Sequence, residues 1–200
     1  MTPKVLFEDN HLLAVFKPAG WLTQPTPKET ESLETWAKDF IKKRDEKPGN
    51  VYLHAVHRLD KPVSGIVLFA KTSKALSRLN ETLRGKKWEK IYFAEVEGEL
   101  PDEEGVLENR LSHGDHEAIE DPKGKLCRLQ YTKRQNGVEI KLETGRYHQI
   151  RAQLALAGCP IKGDVKYGGR PLAHGEIKLF HVRLSFPHPV SKDIIAINIA

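Results

Sequence analysis

Cysteine is nearly missing from this chain of 200 residues: Cys127 and Cys159 are the only two, and they form no C-x-x-C pair. That argues against a disulfide framework or a zinc ribbon and points to a reducing compartment. Long apolar runs are missing as well. The stretch from Leu12 to Phe16 stops at Lys17-Pro18, and no run approaches the ~18 residues of a membrane span. The opening MTPKVLFEDNHLLAVFKPAG lacks the layout of a signal peptide. A cytoplasmic protein without a membrane partner is the expectation. No Walker A, G-x-G-x-x-G or G-x-S-x-G pattern occurs, so neither a nucleotide cofactor nor an α/β-hydrolase is indicated. The 9 histidines form neither H-E-x-x-H nor a Cys/His cluster, so no metal site is indicated either.

What is present is charge, at 30% of residues, with 32 Lys+Arg against 27 Asp+Glu and a net +5. This mild excess permits nucleic-acid binding without showing it. The length fits one domain over residues 1–200, able to bury roughly 70% of the surface of its unfolded form.

LLAVFK at residues 12–17 reads as a strand stopped by Pro18-Ala19-Gly20. Leu33, Trp36, Ala37, Phe40 and Ile41 recur at helical spacing behind Thr30 or Ser32 as cap. Ile66 to Ala70 reads as a buried strand. Thr72 or Ser73 caps a second helix with Ala75, Leu76, Leu79 and Leu83 inside and Gly85 at its end. IYFAEVEG at 91–98 alternates as a strand, and residues 101–127 read as loops and short strands. RLQYTKRQ and VEIKLET flank Asn136-Gly137, a strong hairpin signal. HQIRAQLALAG at 148–158 reads as a third helix, and LFHVRLSF and IIAINIA as late strands. The mixture predicts α+β with a largely antiparallel mixed sheet.

Three stretches could carry chemistry. In HRLDKPVSG, residues 57–65, Arg58 and Asp60 at i and i+2 of an extended segment would line one side. Ser64-Gly65 would let the chain turn before the strand. A surface ion pair and a turn explain the same residues. Tyr92 in the second stretch is explained by core packing, or by stacking on a base with its hydroxyl near a moving proton. The third is Gly145-Arg146-Tyr147-His148-Gln149-Ile150-Arg151. There Arg146 and Arg151 would present guanidinium forks at a helix start, and a bridge from Arg151 to Asp60 would hold that carboxylate ionised. Ordinary surface arginines fit equally.

The motif His57-Arg58-Leu59-Asp60 with Ser64-Gly65 and an apolar strand resembles the catalytic motif of the RluA family of RNA pseudouridine synthases. Lys17-Pro18-Ala19-Gly20 resembles its K-P-x-G segment, Lys90-x-Tyr92-x-Ala94 its tyrosine strand, and Gly145 to Arg151 its G-R-x-H-Q-I-R helix start. Gly158 to Gly168 and Leu184 to Pro189 extend the likeness over nearly the whole chain. Val63 and Tyr147 stand where the family usually has threonine. The family's common N-terminal S4 RNA-binding domain is expected to be missing, leaving a stand-alone catalytic domain, monomeric.

The resemblance implies a pseudouridine synthase fold with a central active-site cleft and an isomerase needing no cofactor. Its substrate would be ribosomal or transfer RNA. Asp60 would be the nucleophile, Tyr92 would stack on the flipped uracil and assist loss of the C5 proton, and Arg151 would pair with Asp60. Arg58 would help displace the target base from its stack, His57 and Arg146 would contact substrate, and Ile150 and Leu154 would wall an apolar pocket. Lys86, Lys87, Lys90, Lys133, Arg134 and Lys166 are candidate RNA contacts. Two other readings stay open: a catalytically silent RNA-binding module of the same fold, and a glycoside or nucleoside hydrolase using Asp60.

Overall fold

A computed structural model describes residues 2–173 and 175–199. The chain divides into two compact units, one formed by residues 1–88 with 183–200 and the other by residues 89–182.

The first unit opens with strands β1 (Lys4–Glu8) and β2 (Leu12–Lys17), paired antiparallel. Helix α1 (Leu33–Arg44) follows. Its cap is Ser32, whose Oγ accepts the Thr35 N–H while Thr35 Oγ1 accepts the Ser32 N–H, a reciprocal capping box. Leu33, Ala37 and Ile41 are its fully buried apolar positions, whereas Trp36 and Phe40 are half-buried and stack on each other at 5.4 Å. Strand β3 (His54–Ala55) and strand β4 (Ser64–Ala70) come next, and β4 pairs antiparallel with β2 and with β3. All of Ile66 to Ala70 is 0% exposed. Such burial on both faces is why this strand reads as a continuous apolar run and not as an alternation. Helix α2 (Ser73–Arg84) is capped by Thr72, buries Ala75 and Leu79 and ends at Gly85.

The second unit is built on four long or medium strands and one helix. Strands β5 (Glu89–Ala94) and β6 (Glu104–His113), the short β7 (Ala118–Glu120), β8 (Lys125–Arg134) and β9 (Gly137–Leu142) pair in the order β5-β9-β8-β6-β7. These pairings are antiparallel. Helix α3 (Gln149–Leu156) and the short 3-10 turn Val165–Tyr167 complete it. Strand β10 (Leu179–Pro187) carries the chain back into the first unit, where its later residues pair antiparallel with β11 (Ile194–Asn198). The architecture is α+β and largely antiparallel, as read from the sequence.

Four local readings change. The segment 101–127 is not mainly loop, because β6 runs ten residues and pairs eight of them with β8. The inward positions of β6 include Gly105 and Asn109 as well as Leu107 and Leu111, so its apolar alternation is weak. The strand at 91–98 ends at Ala94, and Val96 makes only an isolated bridge to Ile161. The β8–β9 hairpin exists, but Arg134 pairs with Gly137, so Gln135-Asn136 form the turn and Gly137 opens the strand. A Cβ on Gly137 would collide with the Ala94 carbonyl on β5, so glycine serves close approach there instead of turn geometry. Ser64 and Gly65 lie inside β4, and the turn sits at Asp60–Val63, closed by the Val63 N–H on the Asp60 carbonyl at 3.0 Å.

Candidate active site

Asp60 sits on the loop that turns into β4, half-buried. The backbone on both sides of it is pinned. Ahead of it, the Thr23 hydroxyl donates to the Leu59 carbonyl at 3.0 Å and accepts the Leu59 N–H at 3.1 Å. Thr23 and Leu59 are 4% and 8% exposed, so these bonds lie out of competition with water. Behind it, the Lys61 carbonyl accepts the Gly20 N–H at 2.8 Å and a Lys17 Nζ proton at 3.1 Å. Gly20 has φ +83, a conformation that glycine adopts without steric cost and that completes the turn after Lys17-Pro18-Ala19.

Lys17 is 0% exposed, and its Nζ also donates to the carbonyls of Pro18 at 3.1 Å and Trp21 at 2.7 Å. Three acceptors match the three protons of an ammonium. Burial pushes its pKa down to about 7, against the Asp60 charge, which favours the charged form. The K-P-x-G segment is therefore the mechanical seat of the aspartate loop.

The sequence-predicted neighbours of Asp60 divide. His57 Nε2 accepts the Leu68 N–H at 3.2 Å, and its ring meets Trp88 edge-on at 6.2 Å, so it ties the loop to β4. Arg58 is exposed, and among the described residues it has no hydrogen-bond or ion-pair partner. Val63 is 2% exposed, and the turn closes through backbone alone, so a hydroxyl at that position is not required for it.

In the second unit, Tyr92 on β5 is 6% exposed and one face of its ring stacks on His181 at 4.5 Å and 18°. Arg151 lies in the first turn of α3. It is not a surface arginine: its side chain is 6% exposed and donates from Nε and NH2 to the two carboxylate oxygens of Asp164, both at 2.7 Å. Its guanidinium also lies over the Tyr167 ring at 5.0 Å. The Tyr167 hydroxyl accepts the Ala118 N–H at 2.7 Å and meets His148 Nδ1 at 2.9 Å, and burial pushes its pKa up to about 12. Asp164 is a residue that sequence reasoning missed. A signal was present, since Gly163-Asp164 belongs to a quoted block, but no spacing rule connects it to Arg151.

The helix start is fixed by Gln149, whose Oε1 accepts the Arg146 N–H and the Thr144 hydroxyl and whose Nε2 donates to the Arg128 carbonyl. His148 takes a left-handed conformation, φ 49, at the cap position. Arg146 is exposed, whereas Ile150 and Leu154 are 6% and 0% exposed, the apolar character the wall assignment needs. Tyr147 is 39% exposed, stacks on His148 at 3.8 Å and donates to the His116 carbonyl. Of the candidate RNA-contact cations, Lys133 pairs with Glu103 and Arg134 with Glu139. Lys86, Lys87 and Lys166 are exposed.

Comparison with known proteins bears on the same residues. The family described as RNA pseudouridylate synthase matches residues 11–156. The Bacillus subtilis protein named uncharacterized RNA pseudouridine synthase YhcT is 32% identical over 203 residues, covering 96% of this chain and 66% of that protein. The Vibrio parahaemolyticus dual-specificity RNA pseudouridine synthase RluA is 32% identical over 208 residues, covering 94% of this chain and 78% of that one. Of some matched relatives the chain spans much less, 22% in one case. The solved structure of human RNA pseudouridylate synthase domain containing 4 superposes with a TM-score of 0.80 at 19% identity, covering 98% of this chain and 87% of that one, which establishes the fold. With the matched segment running from the strand before Lys17 to the helix that carries Arg151, this chain belongs to the RNA pseudouridylate synthase family.

Proposed function

We propose that this chain isomerises specific uridines to pseudouridine in ribosomal or transfer RNA, as a cytoplasmic monomer, with Asp60 as nucleophile and Tyr92 and Arg151 as the other catalytic residues. The observation that carries the reading is the Asp60 loop, clamped at Leu59 by Thr23 and at Lys61 by Gly20 and Lys17 in a chain of this family. A carboxylate that must meet one carbon atom gains rate from such positioning.

The step balances within the substrate. Asp60 drives cleavage of the N1–C1′ bond, the uracil turns in its pocket, and a C5–C1′ bond forms. The C5 proton leaves, assisted by Tyr92, and N1 takes one up. No electron is gained or lost. Exposed Arg58 is suited to filling the place of the everted base, and the eversion costs least in loops. Two relatives, named tRNA pseudouridine synthase C in Haemophilus influenzae and ribosomal large subunit pseudouridine synthase C in Buchnera aphidicola, support keeping both RNA classes. Two buried free thiols support a reducing compartment.

The test is tritium release from RNA carrying C5-labelled uridine. Asp60→Asn should keep RNA binding and lose release. Turnover at the normal rate in that variant would overturn the assignment. Binding without release in the natural chain would identify a silent module, and free uracil among the products a hydrolase.

A further inference from the structure

Among the described residues, the lysines that lack a hydrogen-bond or ion-pair partner are exposed, apart from one. Lys17 has three carbonyls, Lys71 pairs with Glu8 at 2.7 Å, and Lys61 with Glu29 at 2.7 Å. Lys90 is different. It is half-buried on β5, and among the described residues it has no hydrogen-bond or ion-pair partner. Burial alone holds its ammonium below the ordinary lysine range. The carboxylates next to it and next to Gly145 along the chain are committed elsewhere: Glu89 pairs with Lys141 at 3.0 Å and Glu143 with Arg128 at 2.9 Å.

Its position is specific. Lys90 and Tyr92, two apart on a strand, face the same side of the sheet. The Lys90 ammonium lies beside Gly145, where a Cβ would stand 3.3 Å from Nζ. Gly145 has no left-handed φ to explain it, so the missing side chain leaves space at the cation. A desolvated cation with room around it and no protein anion is a site for an external one.

We propose that Lys90 binds one backbone phosphate of the RNA and so seats the target nucleotide against Tyr92. The proposal rests on the synthase reading and adds a single, located phosphate contact to it.

The test uses the full chain, Lys90→Gln and Lys90→Arg, and an RNA hairpin with a uridine loop, made with one neutral methylphosphonate at a time around the loop uridines. Lys90→Gln should weaken binding about tenfold and flatten the salt dependence by about 0.7 in log–log slope, one single-strand contact. One methylphosphonate should weaken the natural chain equally and leave Lys90→Gln no weaker. Lys90→Arg should recover most of the affinity. The melting temperature of Lys90→Gln should stay level or rise, since a desolvated charge is removed. Additive losses at every phosphate, an unchanged salt slope, or a melting drop of several degrees would each overturn the proposal. Tritium release by the natural chain separates the outcomes. Turnover with additive losses defeats Lys90 alone, whereas absence of both binding and turnover defeats the synthase reading as well.

Discussion

Replacing Asp164 by Asn should damage both stability and turnover, and the two effects can be separated. The Arg151–Asp164 pair is 6% and 1% exposed at its side chains and is held by two bonds of 2.7 Å. Removing one partner of such a buried, doubly hydrogen-bonded pair costs about 3–5 kcal/mol. For a chain of this length each kcal/mol lowers the melting temperature by roughly 2–4 °C, so a drop of about 6–20 °C is expected in thermal unfolding followed by circular dichroism. The double variant Arg151→Met with Asp164→Leu replaces the pair by apolar side chains. It should recover most of the stability, because apolar replacement of a buried pair is often neutral or better. It should not recover tritium release, because the guanidinium is gone. A melting temperature for Asp164→Asn within about 2 °C of the natural chain, a loss of no more than about 1 kcal/mol, would refute this. So would a double variant no more stable than the single one.

Thr23→Val keeps the volume and removes the hydroxyl clamp on Leu59. It leaves the buried Leu59 N–H without its acceptor, at about 1–3 kcal/mol, and turnover in tritium release should fall by more than RNA affinity measured by filter binding. Glu8 titrates in the acid range. The Arg44 guanidinium, and then Lys71, hold its carboxyl down at about 2 against a usual 4.5. Because the folded value is the lower one, its contribution is present above pH 4.5 and lost as pH falls toward 2, about 1 kcal/mol after solvent screening. Denaturant unfolding of Glu8→Gln and the natural chain should therefore differ at pH 6 and converge near pH 2; a constant gap would contradict it.

The sequence was most legible where periodicity and caps agree. Leu12–Lys17, Ser32 with α1 and Thr72 with α2 lie where the pattern puts them. The Asp60 motif could be named from residue order alone. What could not be read is what holds it. Thr23 and Lys17 act on main-chain atoms of Leu59 and Lys61, about 40 positions away, and a bond to a carbonyl leaves no mark on the residue that owns it. Asp164 was hidden for a related reason, since its partner lies across a loop and not at helical spacing. The strand β6 was hidden because its inner face includes glycine and asparagine: Asn109 Oδ1 accepts from Gln153 Nε2 at 3.0 Å, a polar contact that no hydrophobic alternation reveals.

The anchor at position 61 has an odd property. The side chain of Lys61 is exposed and among the described residues meets only Glu29, while its carbonyl oxygen takes two donors, from Lys17 and Gly20. Every amino acid owns that oxygen. Residue 61 is thus free to drift in evolution and would pass unnoticed through an alanine scan, although the aspartate next door depends on it. The dependence would surface only at the donors, Lys17 and Gly20.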